Sequence, residues 1–384
     1  MELPVVMGRS CSAPLKVCVL LAVIFLPLLV RQRPMTRPPV ELGGGQRRWE
    51  QCQRVLRTGQ VRHSWEQPAA DLCRKRQWTP YQARRALQRL ARRRGRDARV
   101  VLVGDSRVRI VHMKMKERVR LTDYRRDFDL NGTYPTEWRT GSHETVPLRM
   151  PALSEDCVEV FVLAAPKAKD GSDDRIAKAR CSIINTGAHL RNEFWWRPWL
   201  DELYGRRLDE LADECWAGRC PDLVVLDGGA WYAVRKRGLD SGQPTAWVAR
   251  FAAELAALQP RLARLAAATP VLWKLDELYM TEALRGHKSG VTGTLMALAA
   301  ALHETAALVP QLVVWSSGVT EATRFYHSVC LPLELHRRPT FTGPVRDECL
   351  DPTHVGSTVR WLLAETLFDV LLMDVTPPVS GYCC

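Results

Sequence analysis

Short apolar, β-branched runs alternate along the chain with longer stretches whose apolar residues recur at helical spacing. Ala98 to Val103 (ARVVLV), Leu223 to Leu226 (LVVL), Val271 to Leu275 (VLWKL) and Gln311 to Trp315 (QLVVW) read as buried strands. Arg107 to Val119, Thr245 to Leu258, Thr294 to Leu308 and Val355 to Leu372 read as helices. Strands that are apolar on both faces and separated by helices predict a mainly parallel sheet covered on both sides, a three-layer α/β/α domain. Val158 to Ala164 and Cys181 to Asn185 read as a further strand pair, and the aromatic stretch with Phe194, Trp195, Trp196 and Trp199 reads as packing. Thr79-Pro80-Tyr81-Gln82 is a capping-box helix start. It puts Tyr81, Ala83, Leu87, Leu90 and Ala91 toward the core and leaves Arg84, Arg85, Arg89, Arg92, Arg93, Arg94, Arg96 and Arg99 as a solvated face.

The N-terminus departs from this pattern. Val17 to Val30 carries no charge, yet is shorter than the roughly 20 residues that span an average bilayer. No small-residue cleavage site follows it, so it reads as an uncleaved signal anchor. The resulting organisation is a tail over 1–16, an anchor over 17–30, a Pro- and Gly-rich stem over 31–48 and a folded domain over 49–384. Arg31, Arg33 and Arg37 after the anchor argue for a cytosolic body, because basic flanks stay inside.

Cysteines argue the opposite. Of 12, Cys11 and Cys18 belong to the anchor region, and the remaining ten form no CxxC pair, which favours disulfides in an oxidising lumen over zinc. Asn131-Gly132-Thr133 is a glycosylation sequon with meaning only in that compartment. The formal net charge of +13 admits nucleic acid as a partner in principle. In a luminal protein the same surface meets anionic sugars, nucleotide-sugars or phospholipid headgroups instead. The expected location is therefore a Golgi or other secretory-pathway membrane, single-pass, with the folded domain in the lumen and no nucleic-acid partner.

Candidate chemistry gathers where strands end, the edge on which such sheets bind ligands. Gly104-Asp105-Ser106 follows the first strand directly, presenting a hydroxyl on a tight turn with its own amide near a helix start. Asp351-Pro352-Thr353-His354 precedes the last helix and supplies a base and a carboxylate to orient it. Gly228-Gly229-Ala230-Trp231 and Asp276-Glu277 close two other strands. Gly286-His287-Lys288-Ser289-Gly290 lacks phosphate-loop spacing, and no metal-ligand motif stands out, so no metal is expected.

A GDS block early and a DxxH block late, in that order, are the first and last blocks of the SGNH hydrolase pattern. Gly104-Asp105-Ser106-Arg107-Val108-Arg109, Val224 to Trp231 (VVLDGGAW), the terminal helix and the closing Cys383-Cys384 resemble the luminal, serine-esterase-like domain of the sialic acid O-acetyltransferases, the Cas1-domain proteins. The resemblance covers roughly Trp49 to Cys384 and stops short of that family's multi-pass membrane domain. It implies Ser106 as nucleophile, His354 as base and Asp351 as its partner. It implies acetyl-CoA as donor with no tightly bound cofactor, and a sugar or nucleotide-sugar as acceptor. A separate membrane acyl-donor protein is a conceivable partner, and Cys52 and Cys73 match that family's paired cysteines. The SGNH oxyanion Asn is missing, so the amides of Ser106 and of the Gly228-Gly229 turn, with Arg107 or Arg109 in support, are expected to take that role. Trp231 is placed either to stack on a sugar or to pack at the rim. Hydrolysis of an acetyl-sugar and non-catalytic glycan binding are the alternative outcomes on the same fold.

Two covalent marks check the compartment. Non-reducing peptide mapping should join Cys52 to Cys73, and expression in a secretory host should glycosylate Asn131. Native material with all ten thiols free would put the domain in the cytosol.

Overall fold

The computed structural model describes residues 45–58, 61–62, 73–74, 76–119, 182–234, 244–277, 291–332, 348–349 and 354–376. The chain divides into two compact units, Met1–Gln46 and Arg47–Cys384, and the account below concerns the second. The anchor, the strand read over 158–164, Asn131, the 286–290 loop and Asp351 lie outside the described residues.

In chain order the elements are α1 (Gly45–Thr58), β1 (Val61–Arg62), β2 (Cys73–Arg74), α2 (Pro80–Arg94), β3 (Ala98–Gly104), α3 (Ser106–Val119), β4 (Ser182–Gly187) and β5 (Leu190–Trp196). They continue with α4 (Glu202–Trp216), β6 (Leu223–Leu226), α5 (Ala230–Val234), α6 (Pro244–Ala266), β7 (Val271–Lys274), α7 (Val291–Leu308), β8 (Leu312–Trp315), α8 (Ser317–Phe325) and α9 (Ser357–Leu372). Six strands form one sheet in the order β4-β5-β3-β6-β7-β8. Five run parallel, and β4 is the antiparallel edge strand, paired with β5. This is the expected α/β/α class.

Alternation along the strands builds the two outer layers. Val100, Leu102, Val225, Leu272 and Val313 point to one face, where they meet apolar side chains of α2, α3, α8 and α9. Val101, Val103, Val224, Leu226, Trp273 and Val314 point to the other and meet α4, α6 and α7. Helix α7 is long and apolar enough to cross a membrane by composition, with mean hydropathy 1.3. Its residues Val291, Leu295, Leu298 and Leu302 are nonetheless packed into this second core layer.

Four sequence readings need correction. Tyr81 does not face the core: it is 67% exposed in the first turn of α2, with the Arg85 guanidinium over its ring. The capping box itself forms as read, Thr79 accepting from the Gln82 amide and Gln82 from the Thr79 amide. The arginine face is not merely solvated. Arg94 and Arg96 pair with Asp222, and Arg99 with Glu193 and Glu214. The aromatic stretch is itself a strand, β5, lying beside β3 with Leu102 opposite Phe194 and Gly104 opposite Trp196. Its apolar signature is masked by Glu193, which is buried between Arg99, Arg191 and Arg207. Helix α6 also runs past its expected end at Leu258 and through Pro260, because Leu262 and Leu265 continue the buried stripe begun by Phe251, Leu255 and Leu258.

Cys215–Cys220 and Cys330–Cys349 are disulfides. Cys52 is buried and also disulfide-bonded, and Val61 opposite Cys73 in the β1 and β2 pair brings the second candidate cysteine's backbone onto a neighbouring strand of its own small sheet.

Just beyond the last paired residues of β3 and β6, Gly104 passes close against Asp227. A Cβ there would meet the Asp227 Cβ at 2.8 Å and its carbonyl oxygen at 3.1 Å. Gly104→Ala should therefore destabilise the fold by about 1–3 kcal/mol, read by urea unfolding. A loss under about 0.5 kcal/mol would mean that the Asp227 turn yields freely.

Candidate functional site

Strand β3 ends at Gly104, and its successor Asp105 caps the helix that follows. The Asp105 Oδ1 accepts the Arg107 amide at 2.8 Å, and the Asp105 carbonyl accepts the Arg109 amide at 3.1 Å. Ser106 is thus the first residue of α3, half-buried at the carboxyl edge of the sheet, with the positive end of the helix behind it. His354, also half-buried, lies just ahead of α9, and its Nε2 is 2.8 Å from Ser106 Oγ across 248 residues of sequence. The helix pair that carries them, α3 and α9, packs in the same core layer. Asp351 lies outside the described residues, so the structure speaks for two of the three residues expected to work together.

The glycine turn after β6 is shaped by what surrounds it. A Cβ on Gly228 would meet Leu200 Cδ2 at 2.9 Å, and one on Gly229 would meet Asp276 Oδ2 at 2.5 Å. Gly228 was expected to offer its amide to an oxyanion, yet that amide donates to its neighbour's carboxylate, Asp227 Oδ1, at 2.7 Å. A cavity of about 240 Å³ adjoins this turn, walled by Gly228, Gly229, Trp273, Asp276, Leu298 and Thr320.

Arg107 was named with Arg109 as support for the oxyanion amides. It is 4% exposed, with Nη1 donating to Asp276 Oδ1 at 3.1 Å and to the Glu277 carbonyl at 2.8 Å. Arg109 lies with its guanidinium 5.7 Å from the Trp196 ring centre. Trp231, half-buried, stacks edge-on against Trp196 and Trp199 with centroids 6.1 and 6.0 Å apart. It packs at the rim, beside the strand end that carries Ser106.

Below the serine the structure assembles a buried charge network that sequence spacing did not reveal. Asp105, Asp227 and Asp276 follow β3, β6 and β7, and one oxygen from each falls within 4.8 Å of the others. Asp227 is fully buried, and its Oδ2 has no hydrogen-bond partner. Two cations offset them: Arg107, and Lys274, whose Nζ lies 2.7 Å from Glu277 Oε1 and 3.2 Å from the Leu275 carbonyl. Burial, reinforced by Asp276 and Asp105, pushes the Asp227 carboxyl well above the usual range. Burial also raises Asp276, to about 6, against the opposing pull of Arg107. Glu277 goes the other way: burial is outweighed by Lys274 and Arg107, and its carboxyl is lowered. The available signal was a charged residue directly after, or inside, an otherwise apolar strand run, as in Lys274 of VLWK and Asp227 after LVVL.

Fold and geometry together define an α/β protein with a serine hydroxyl hydrogen-bonded to an imidazole at the binding edge of its sheet, a constellation suited to nucleophilic acyl chemistry. No family model and no curated protein matches the chain. A solved structure titled "Peptidoglycan O-acetylesterase in action, 5 min" is similar over 77% of this chain and 96% of its own, at 11% identity and a TM-score of 0.35. A score that low assigns neither family nor activity.

The raised carboxyls have a thermodynamic consequence. Asp276 holds a proton in the fold that the unfolded chain releases above the ordinary value of 3.8, so its contribution is present below 3.8 and is lost as pH rises through about 6. The unfolding free energy of the parent minus that of Asp276→Asn should fall as pH is raised across this window. A difference independent of pH would show that Arg107 keeps Asp276 ionised throughout.

Proposed function

We propose that this chain is a carbohydrate O-acetyltransferase that moves acetyl from acetyl-CoA to a hydroxyl of a sialic acid-like sugar or its nucleotide-sugar through an acetyl-Ser106 intermediate. The observation that carries the reading is the 2.8 Å contact between His354 Nε2 and Ser106 Oγ, which joins the two motif blocks at one strand end. The choice of acetyl and sugar rests on the motif resemblance.

In the first half-reaction Ser106 Oγ attacks the thioester carbonyl while His354 Nε2 takes the hydroxyl proton. The amides of Ser106 and Gly229 face the developing oxyanion. The carbon–sulfur bond then breaks, and the imidazolium protonates the departing thiolate. In the second half-reaction a sugar hydroxyl attacks the acetyl-serine carbonyl and gives its proton to His354. The bond to Ser106 breaks, and the proton returns to its oxygen. Asp351 holds the imidazole in the tautomer that presents Nε2 to the serine. Water in place of the sugar turns the same sequence into hydrolysis, with no change of residues.

The disulfides Cys215–Cys220 and Cys330–Cys349 support a luminal, oxidising location for the domain. The charge network beneath Ser106 supports a site held rigid before substrate arrives, as electrostatic catalysis requires.

Incubation of the protein with isotopically labelled acetyl-CoA and candidate sugars, followed by mass spectrometry of protein and sugar, tests the reading. Ser106→Ala should abolish the labelled enzyme. His354→Ala should lower kcat by about 10²–10⁴-fold with substrate binding retained, and Asp351→Asn should be similarly severe. Parent-like turnover by Ser106→Ala refutes the acetyl-serine route. Labelled free acetate with every sugar tested assigns the esterase activity instead.

A further inference from the structure

The last helix of the fold begins without a capping side chain of its own. Gly356 occupies the N-cap of α9, and the Thr358 amide donates instead to a distant side chain, the two carboxylate oxygens of Glu348, at 3.2 and 2.9 Å. The Glu348 backbone also presses on the cap. A Cβ on Gly356 would collide with the Glu348 carbonyl oxygen and stand 2.6 Å from its Cα. Only glycine permits that approach.

Glu348 is in turn fixed covalently. Its neighbour Cys349 is bonded to Cys330, the last residue of a π-helical turn, Tyr326–Cys330, that continues α8. Both cysteines are buried in the core layer that α8 and α9 share. A chain of fixed contacts therefore runs from α8 through the disulfide to Glu348, and from Glu348 to the first turn of α9. His354 lies two residues ahead of Gly356, at the end of that chain. A carboxylate at this place also meets the positive end of the helix dipole, which adds to its hold.

We infer that Glu348 is a positioning residue for His354, and that the Cys330–Cys349 disulfide holds it in place. The inference rests on Ser106 and His354 acting as nucleophile and base. With the carboxylate removed, the first turn of α9 loses its cap and the imidazole loses its fixed approach to Ser106. Proton transfer slows, while the strand ends that bind substrate stay as they are. The signature is a fall in kcat at nearly constant KM.

The test uses the full chain. Glu348→Ala should lower kcat by about 10–100-fold, the cost of misplacing a reacting group by roughly 1 Å. KM should stay within about twofold. Glu348→Gln, which keeps an amide oxygen as acceptor, should recover part of the loss, and it carries the comparison if the alanine variant does not fold. The double change Cys330→Ser with Cys349→Ser should lower kcat in the same way. Adding Glu348→Ala to it should cost little more, because both remove one restraint. Crystal structures of these variants should show His354 Nε2 outside hydrogen-bond distance of Ser106 Oγ or in a second conformer. An unchanged contact with kcat unchanged overturns the inference for Glu348. Fully additive losses overturn the role given to the disulfide. If Ser106→Ala proves as active as the parent, the functional reading fails, and the crystallographic separation still decides whether Glu348 positions His354.

Discussion

Four carboxylates meet beneath the serine turn, and the fold depends on the two buried cations that keep them from repelling one another. Asp105, Asp227, Asp276 and Glu277 come from the ends of β3, β6 and β7, while Arg107 and Lys274 reach in from α3 and from β7 itself. Burying such groups without partners costs several kcal/mol each, so every strand end is obliged to keep its place. Gly104 then has to pass within contact of Asp227, and Gly229 within contact of Asp276. The turn that displays Ser106 inherits its geometry from these approaches. A surplus of two negative charges over positive ones is relieved by the upward shift of Asp227 and Asp276, both driven first by burial.

The opposite edge of the sheet repeats the idea with the signs reversed. There Glu193 on β5 is one buried carboxylate among three arginines, and its carboxyl is lowered because Arg99 and Arg191 outweigh the cost of burial. Asp222, just before β6, gathers Arg94, Arg96 and the Arg99 amide. The sheet is thus pinned at its base by surplus arginine and at its mouth by surplus carboxylate. Arg94, Arg96 and Arg99 are engaged in structure at the base, so the presence of these arginines is a poor guide to partners.

The fold was legible wherever strands were continuously apolar. β6 was read with its observed bounds, and β3, β7, β8 and the closing helix to within a residue or two, because burial on both faces leaves no ambiguity of period. β5 was missed because Arg191 and Glu193 broke the apolar pattern, and only the neighbouring arginines make that glutamate tolerable inside a protein. The contact between Ser106 and His354 was legible from motif order. The inward turn of Arg107 onto Asp276 was not legible, because a sequence shows an arginine beside a serine but not which way the helix turns it. Glu348 left no signal at all, since a cap supplied from ten residues upstream depends on a disulfide whose connectivity cannot be read from spacing.

Ser106 and His354 stand 248 residues apart in the chain yet share one hydrogen bond. During synthesis Ser106, the glycine turn and most of the sheet emerge long before His354 and the helix that follows it. Domains are made N-terminus first, and non-local pairings form slowly. Until then one face of the sheet lacks Leu363, Leu367, Phe368 and Leu371 of α9, and that core layer stays open. The contact between Ser106 and His354 can form only once α9 docks, so it doubles as a mark that the final core layer has closed.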